Sequence, residues 1–220
     1  MDLFDIIGPV MTGPSSSHTA GAARIGFAAK ELLGETVVKA IITLHGSFAD
    51  TYRGHGTDRA LLAGLMGMPV DDPKLRDSLE IAAEKGLDFE FRTVELADAH
   101  PNTAILDIVG DQGGTINVRA SSVGGGNIRI DEINGMAVSF RVSQDTLVIR
   151  HRDMPGVIAG VSTLIARYSV NIATMQVFRT CGGGDAIMAI EVDAPITEAL
   201  RDELRREKHV RMVACVRKFG

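Results

Sequence analysis

The sequence predicts an α+β protein built as two domains, and two observations lead there. Residues 1–144 mix stretches at helical spacing with β-rich runs in no regular alternation, whereas residues 146–216 carry the complete order β, α, β, β, α, β. That second order makes a small sheet with both helices on one face. The polar pair Ser143-Gln144 marks the boundary, so the expected domains are 1–144 and 145–220. With 45% apolar and 23% charged residues, the chain can bury a core, and wholesale disorder is excluded.

The first helix is expected over Ser15–Leu33. Ile25, Ala28, Ala29, Leu32 and Leu33 share one face, and Arg24, Lys30 and Glu31 point outward. A strand follows over 36–44, then helices over 57–66 and 73–85. β-rich runs occupy 87–96, 104–109, 115–122 and 128–130, and glycines punctuate them at Gly113-Gly114, Gly124-Gly125-Gly126 and Gly135. The second domain opens with a strand over 146–152, closed by Asp153-Met154-Pro155-Gly156. Apolar residues at 157, 158, 161, 164, 165 and 168 give a helix. Strands over 171–180 and 186–192 flank the hairpin turn Cys181–Asp185. Thr197 caps a last helix, with Glu198 and Asp202 early and Arg205, Arg206 and Lys208 late, the order the helix dipole favours. A strand over 210–216 closes the chain.

Charge and cysteine content exclude several classes of function. Lys and Arg number 23 against 28 acids, a net charge of −5 with no long basic cluster, so no footprint for nucleic acid or an anionic membrane exists. The longest strongly apolar stretch, 154–166, falls short of the ~20 residues a spanning helix needs. Residues 1–5 are acidic where a secretory signal would be basic. Cys181 and Cys215 are far apart, too few for a disulfide framework or a metal cluster. A cytoplasmic, reduced protein is expected.

Four segments concentrate chemistry. Gly13-Pro14-Ser15-Ser16-Ser17-His18-Thr19 puts four hydroxyls and an imidazole at a helix N-terminus, where unpaired N–H groups and the dipole attract an anion such as a carboxylate. An ordinary N-cap needs only one such hydroxyl. Gly54-His55-Gly56-Thr57-Asp58 precedes an apolar helix that Thr57 or Asp58 can cap; His55 there is either a proton-transfer group or a loop histidine. His100-Pro101-Asn102-Thr103 is a turn before a strand, and Ser122-Val123-Gly124-Gly125-Gly126 is a bulge, a loose hairpin turn, or a place where another backbone comes close. The histidines show no H-x-x-x-H spacing, and no nucleophile elbow or phosphate-binding glycine loop occurs. Ser17 and His18, as chain neighbours, are not expected to reach each other as nucleophile and base. The six lysines show no pocket for a Schiff base. The chain looks equipped to grip a small zwitterion and move a proton, without an electrophile of its own.

Residues 146–216 resemble an ACT domain, a ferredoxin-like amino-acid-sensing module, through their element order, Asp153-Met154-Pro155-Gly156 after the first strand and Asn171-Ile172 opening the second. That resemblance implies an effector loop of Asp153, Pro155, Gly156 and Asn171, and self-association of such modules. Taken together in one order, the four segments and this module resemble the β subunit of iron–sulfur-dependent L-serine dehydratases. The first domain is also similar to the allosteric substrate-binding domain of some phosphoglycerate dehydrogenases. The resemblance implies conversion of L-serine to pyruvate and ammonia, in amino-acid metabolism and gluconeogenesis, by a heterodimer. It implies a 4Fe-4S cluster ligated by an α subunit, so that this chain supplies no metal ligand. His55 would be the base, and His18 would help position the substrate carboxylate or ammonium. Ser15, Ser16, Ser17, Thr19, Thr57 and Asp58 would hold substrate, and His100, Asn102 and Gly124–Gly126 would face the partner or the site. Two alternatives stand beside it: a non-catalytic amino-acid-sensing subunit, and a hydrolase using Ser17 and His18.

Overall fold

The computed structural model describes residues 11–219. The chain divides into two compact units that part between Gly135 and Met136.

In the first unit a π-helical turn, Ser16–Ala20, runs directly into α1 (Gly21–Leu33). β1 (Val37–His45) follows, then α2 (Ser47–His55), α3 (Thr57–Leu65), a 3₁₀ turn over Pro73–Asp77 and α4 (Ser78–Glu84). The strands β2 (Asp88–Val94), β3 (Thr103–Gly110), β4 (Thr115–Gly124) and β5 (Asn127–Ile133) complete it. β1 pairs in parallel with β2, across the crossover that α2–α4 supply, and antiparallel with β3; β3–β4 and β4–β5 are antiparallel. Ala40, Ile42 and Leu44 on β1, Leu106 and Ile108 on β3, and Val118 and Ala120 on β4 are fully or almost fully buried, and Ile41, Thr43, Asp107, Asn117 and Arg119 between them are more open. This period of two gives the sheet one apolar face, on which α1 lies.

Two glycines set how α1 meets α3. A Cβ at Gly26 would collide with the carbonyl oxygen of Leu61, and a Cβ at Gly64 with the carbonyl oxygen of Ala23. The helices therefore touch backbone to backbone. α3 buries Ala60, Leu61, Leu62, Ala63 and Leu65 almost completely, as a helix enclosed on every side must.

Register places the chemistry-bearing segments together. His45 at the end of β1 is opposite Thr103 at the start of β3, which is opposite Ser121 near the end of β4. The β1–α2 junction, the turn over 100–103 and the β4–β5 turn over 124–126 thus share one end of the sheet.

The second unit contains β6 (Met136–Arg141), β7 (Asp145–Arg152), α5 (Val157–Arg167), β8 (Ile172–Arg179), β9 (Asp185–Val192), α6 (Glu198–Arg206) and β10 (Val210–Val216). The strand order β10-β7-β9-β8 is antiparallel throughout. Leu147, Ile149, Val161, Ile165, Met188, Ile190, Leu200 and Leu204 form its core. Thr197 caps α6 as expected, its hydroxyl accepting from Leu200 N–H at 3.2 Å.

The structure departs from the sequence reading at three places. β6 is an additional strand: Met136, Val138 and Phe140 are buried while Ala137, Ser139 and Arg141 are exposed. It belongs to the second unit, where Phe140 approaches Phe178 with ring centroids 6.4 Å apart, so the contact boundary falls ahead of 144/145. The βαββαβ order itself begins at Asp145. α2 is an additional helix, seated by fully buried Phe48 and by Tyr52, whose ring stacks on Phe91 at 6.1 Å. Arg24 does not simply face outward, because its Nη1 donates to the carbonyl of Gly126 at 2.9 Å.

Helical glycines should respond with opposite signs. Alanine gains about 1 kcal/mol of helix propensity over glycine. At Gly54 in α2 a Cβ meets nothing within 4 Å, so Gly54→Ala should raise stability by about 0.5–1 kcal/mol. At Gly26 the new methyl strikes a carbonyl that no rotamer change can move, so Gly26→Ala should lower stability by roughly 2 kcal/mol or more despite the propensity gain. Urea unfolding of both variants checks the two signs.

Candidate functional site

The tight contact between α1 and α3 brings their leading segments together, and with them two histidines. His18, in the π-helical turn, and His55, the last residue of α2, have ring centroids 4.9 Å apart. Local geometry sets each ring. Ser15 is the N-cap: its hydroxyl accepts from His18 N–H at 3.2 Å, and its carbonyl accepts from Thr19 N–H at 2.8 Å. Gly56 ends α2 with φ +69, a left-handed conformation that lets its N–H reach the Tyr52 carbonyl and α3 start at the next residue. His55 is therefore held at a helix end, where the sequence alone also allowed a loop.

Both ring nitrogens of His18 face hydroxyls. Nδ1 is 3.2 Å from Ser17 Oγ and 3.4 Å from Ser15 Oγ, and Nε2 is 3.0 Å from Ser47 Oγ. The ring edge also meets buried Phe48, with centroids 5.3 Å apart. Burial, then the neighbouring His55, hold the His18 imidazole below the usual 6.5, against a smaller opposing contribution from Ser47. His55 is different. Its Nδ1 is buried without a hydrogen-bond partner among the described residues, and its backbone carbonyl accepts from Thr19 Oγ1 at 3.3 Å.

The other expected site residues divide into three groups. Ser15, Ser17 and His18 converge as described, and Ser16 contributes a carbonyl that accepts from Gly21 N–H. Thr19, only 2% exposed, braces His55 through its hydroxyl rather than facing a ligand. Neither Thr57 nor Asp58 caps α3: Gly56 holds that position, Asp58 Oδ1 accepts from Arg59 N–H at 2.8 Å, and Thr57 Oγ1 is buried without a partner among the described residues.

His100 and Asn102 serve their own turn and its neighbours. His100 Nδ1 accepts from Asn102 N–H at 3.1 Å, the His100 carbonyl accepts from Thr103 Oγ1 at 2.6 Å, and the Asn102 carbonyl accepts from Ser122 N–H at 2.9 Å. Gly124, Gly125 and Gly126 form the turn between β4 and β5, next to a bulge between Ser122 and Gly124. Ser122 is fully buried against Gly21, at the start of α1, where a Cβ would strike its side chain.

Ser17 and His18 do reach each other, contrary to the expectation for chain neighbours, because the π-helical turn bends Ser17 Oγ back toward Nδ1. The second nitrogen pairs with the Ser47 hydroxyl, whereas a hydrolytic triad needs a carboxylate there. The sequence places His45-Gly46-Ser47 at the end of a strand but assigns Ser47 no role. The signal was its place directly after His45-Gly46, at the same sheet end as the other segments.

The expected effector loop of the second unit is split within one copy. Asp153, Pro155 and Gly156 follow Arg152, which is opposite Asp185, while Asn171 precedes Ile172, which is opposite Val192. Those are opposite ends of strands about 25 Å long. Asp153 Oδ2 accepts from Arg179 Nη1 and from Gly183 N–H, each at 3.4 Å, and Asn171 Nδ2 donates to Asp193 Oδ2 at 2.5 Å.

No three His, Cys, Asp or Glu side chains converge as a metal site among the described residues. Cys181 is exposed in the β8–β9 turn, and Cys215 is opposite Leu147 near the other end of β7. No helix among the described residues is long and apolar enough to cross a membrane.

Comparison with known proteins agrees with this layout. Residues 1–77 match the family described as serine dehydratase beta chain, and residues 146–209 match the ACT domain. The chain is 43% identical over 214 residues to a probable L-serine dehydratase, beta chain, of Bacillus subtilis, covering 97% of each chain. It is 38% identical to an L-serine dehydratase, beta chain, of Peptoniphilus asaccharolyticus, covering 91% of each. A D-3-phosphoglycerate dehydrogenase of Synechocystis is 27% identical across 86% of this chain but only 34% of its own length.

The histidine pair makes a titration prediction. His18 should titrate below 6.5, and His55→Ala should move it upward by removing the neighbouring ring, as followed by proton NMR of the imidazole signals. Because folding favours neutral His18, its contribution to stability is fully present above about 6.5 and is lost as pH falls through the lower folded-state value.

Proposed function

The chain belongs to the serine dehydratase beta chain family, and from that premise we propose that it works with a cluster-bearing α subunit to convert L-serine to pyruvate and ammonia. The observation that carries this reading is the pair His18–His55, whose rings lie 4.9 Å apart, the first tied to hydroxyls at both nitrogens and the second with a buried Nδ1 that has no partner among the described residues.

Cys181 and Cys215 stand too far apart to share a cluster, so the residues of this chain do not fit a 4Fe-4S site, and in this proposal the α subunit supplies all its ligands. When bound there, the cluster would supply a Lewis acid for the substrate hydroxyl.

The chemistry left to this chain is deprotonation and positioning. His55, a partly exposed residue, removes the α-proton of serine, because a general base must come within reach of substrate. His18 stays neutral beside it. Two imidazolium rings 4.9 Å apart would repel by about 3 kcal/mol at an effective dielectric near 20, so a neutral His18 lets His55 accept its proton without that cost. Ser15 and Ser17 lie at the N-terminal end of the continuous helix, where the dipole favours the substrate carboxylate.

The second unit senses an amino acid in this proposal. A ligand touching both Asp153–Gly156 and Asn171 requires two copies of the unit, since one copy holds them at opposite strand ends. Self-association follows from that geometry.

Anaerobic co-expression with the α chain, followed by a serine-to-pyruvate assay with each chain omitted in turn, tests the division of labour. Both chains should be required. His55→Ala should lower turnover by about 10²–10⁴-fold while the complex still assembles. A variant that only shifts the serine dependence would identify a sensing subunit instead.

A further inference from the structure

We infer that Ser47 is a positioning residue that fixes the orientation of the His18 imidazole, an inference that rests on His18 belonging to the reaction site. Ser47 Oγ lies 3.0 Å from His18 Nε2, while Ser17 and Ser15 face Nδ1 on the other side of the ring. Rotating the ring by half a turn would present carbon to the hydroxyls on both sides and break both sets of contacts, so one orientation is favoured on the order of tenfold or more.

Ser47 is itself held from three directions. Gly46 before it has φ 55 and ψ −130, a conformation comfortable only for glycine, and a Cβ there would lie 2.8 Å from the Pro101 carbonyl oxygen. Phe48 after it is fully buried and donates its N–H to that same carbonyl at 3.3 Å. Thr51, one turn on, donates its hydroxyl to the Ser47 carbonyl at 2.7 Å. The turn over 100–103 thus reaches His18 through the sequence Pro101, Gly46–Phe48, Ser47, and this gives that segment a function its own inward-turned side chains do not show. A residue whose backbone is fixed by a kink, a buried aromatic ring and a helical turn is suited to aim a neighbouring imidazole.

The test combines nitrogen NMR of the imidazoles in the isolated full chain with turnover of the assembled enzyme. His18 signals are assigned by their loss in His18→Gln. In the wild-type chain the His18 Nε2 signal should carry the shift of a hydrogen-bonded nitrogen, Ser47→Ala should move it, and Ser47→Thr, which keeps the hydroxyl, should restore it. In the complex, Ser47→Ala should lower kcat by about tenfold to a hundredfold with less effect on KM, and Ser47→Thr should recover most of it. Unchanged nitrogen shifts in Ser47→Ala would overturn the positioning role. Shifts that respond while kcat does not would uphold the Ser47–His18 link and overturn the place of His18 in the reaction.

Discussion

The site depends on a contact that involves none of its chemistry: the crossing of α1 and α3 at Gly26 and Gly64. Each glycine lies against a carbonyl oxygen of the opposite helix, Leu61 for Gly26 and Ala23 for Gly64. With side chains at those positions the helices would separate toward the 8–10 Å spacing ordinary for helix pairs. The leading segment of each helix would move with it. Thr19, just ahead of α1, reaches the His55 carbonyl at the junction ahead of α3 at 3.3 Å, a hydrogen bond that tolerates only a few tenths of an ångström of separation. Apolar packing sets the distance between two imidazoles, and polar groups then refine it.

A second constraint comes from the sheet. β1, β3 and β4 are in register at His45, Thr103 and Ser121, so three chain reversals meet at one end. Their polar groups satisfy one another: Thr103 Oγ1 lies 2.8 Å from Ser121 Oγ, the Asn102 carbonyl takes Ser122 N–H, and the Pro101 carbonyl takes Phe48 N–H. Buried polar groups left unpaired carry a substantial desolvation cost, and this mutual pairing makes the end of the sheet a rigid platform. His55 Nδ1, Thr57 Oγ1 and Ser122 Oγ, three buried atoms without a hydrogen-bond partner among the described residues, are found where α1, α2, α3 and β4 end or begin.

Much of this architecture was legible in the sequence, and the parts that were not share a physical cause. α1, α3, the strands of the first sheet and the βαββαβ unit all bury one face, so hydrophobic period reveals them. α2 buries Phe48 and otherwise carries polar residues with glycine at 54, leaving little period to read. β6 does alternate over Met136–Arg141, but it is short and follows a glycine turn, so its period covers only three buried positions. In the site, the histidines announced themselves by residue type and neighbouring glycines. Ser47 did not, because a lone serine acquires its role only when folding places it across from His18. Thr57 and Asp58 misled for a related reason. Both are good capping residues, yet Gly56 at a left-handed φ already joins the two helices and moves them inside the helix.

Under the proposed function, charge explains why two histidines stand together where one base would suffice. A lone imidazole at a partly buried site loses basicity through desolvation, and a charged neighbour lowers it further. Both effects fall on His18, whose nitrogens are also held by hydroxyls. The arrangement separates holding from proton transfer between rings less than 5 Å apart. Neutral His18 can orient a polar substrate group through its hydroxyl network without adding a positive charge. In the proposed reaction the α-proton passes to His55, near the helix end proposed to receive the substrate carboxylate. There the charge created by the transfer and the carboxylate would attract, so the step is aided by the presence of the substrate's own anion.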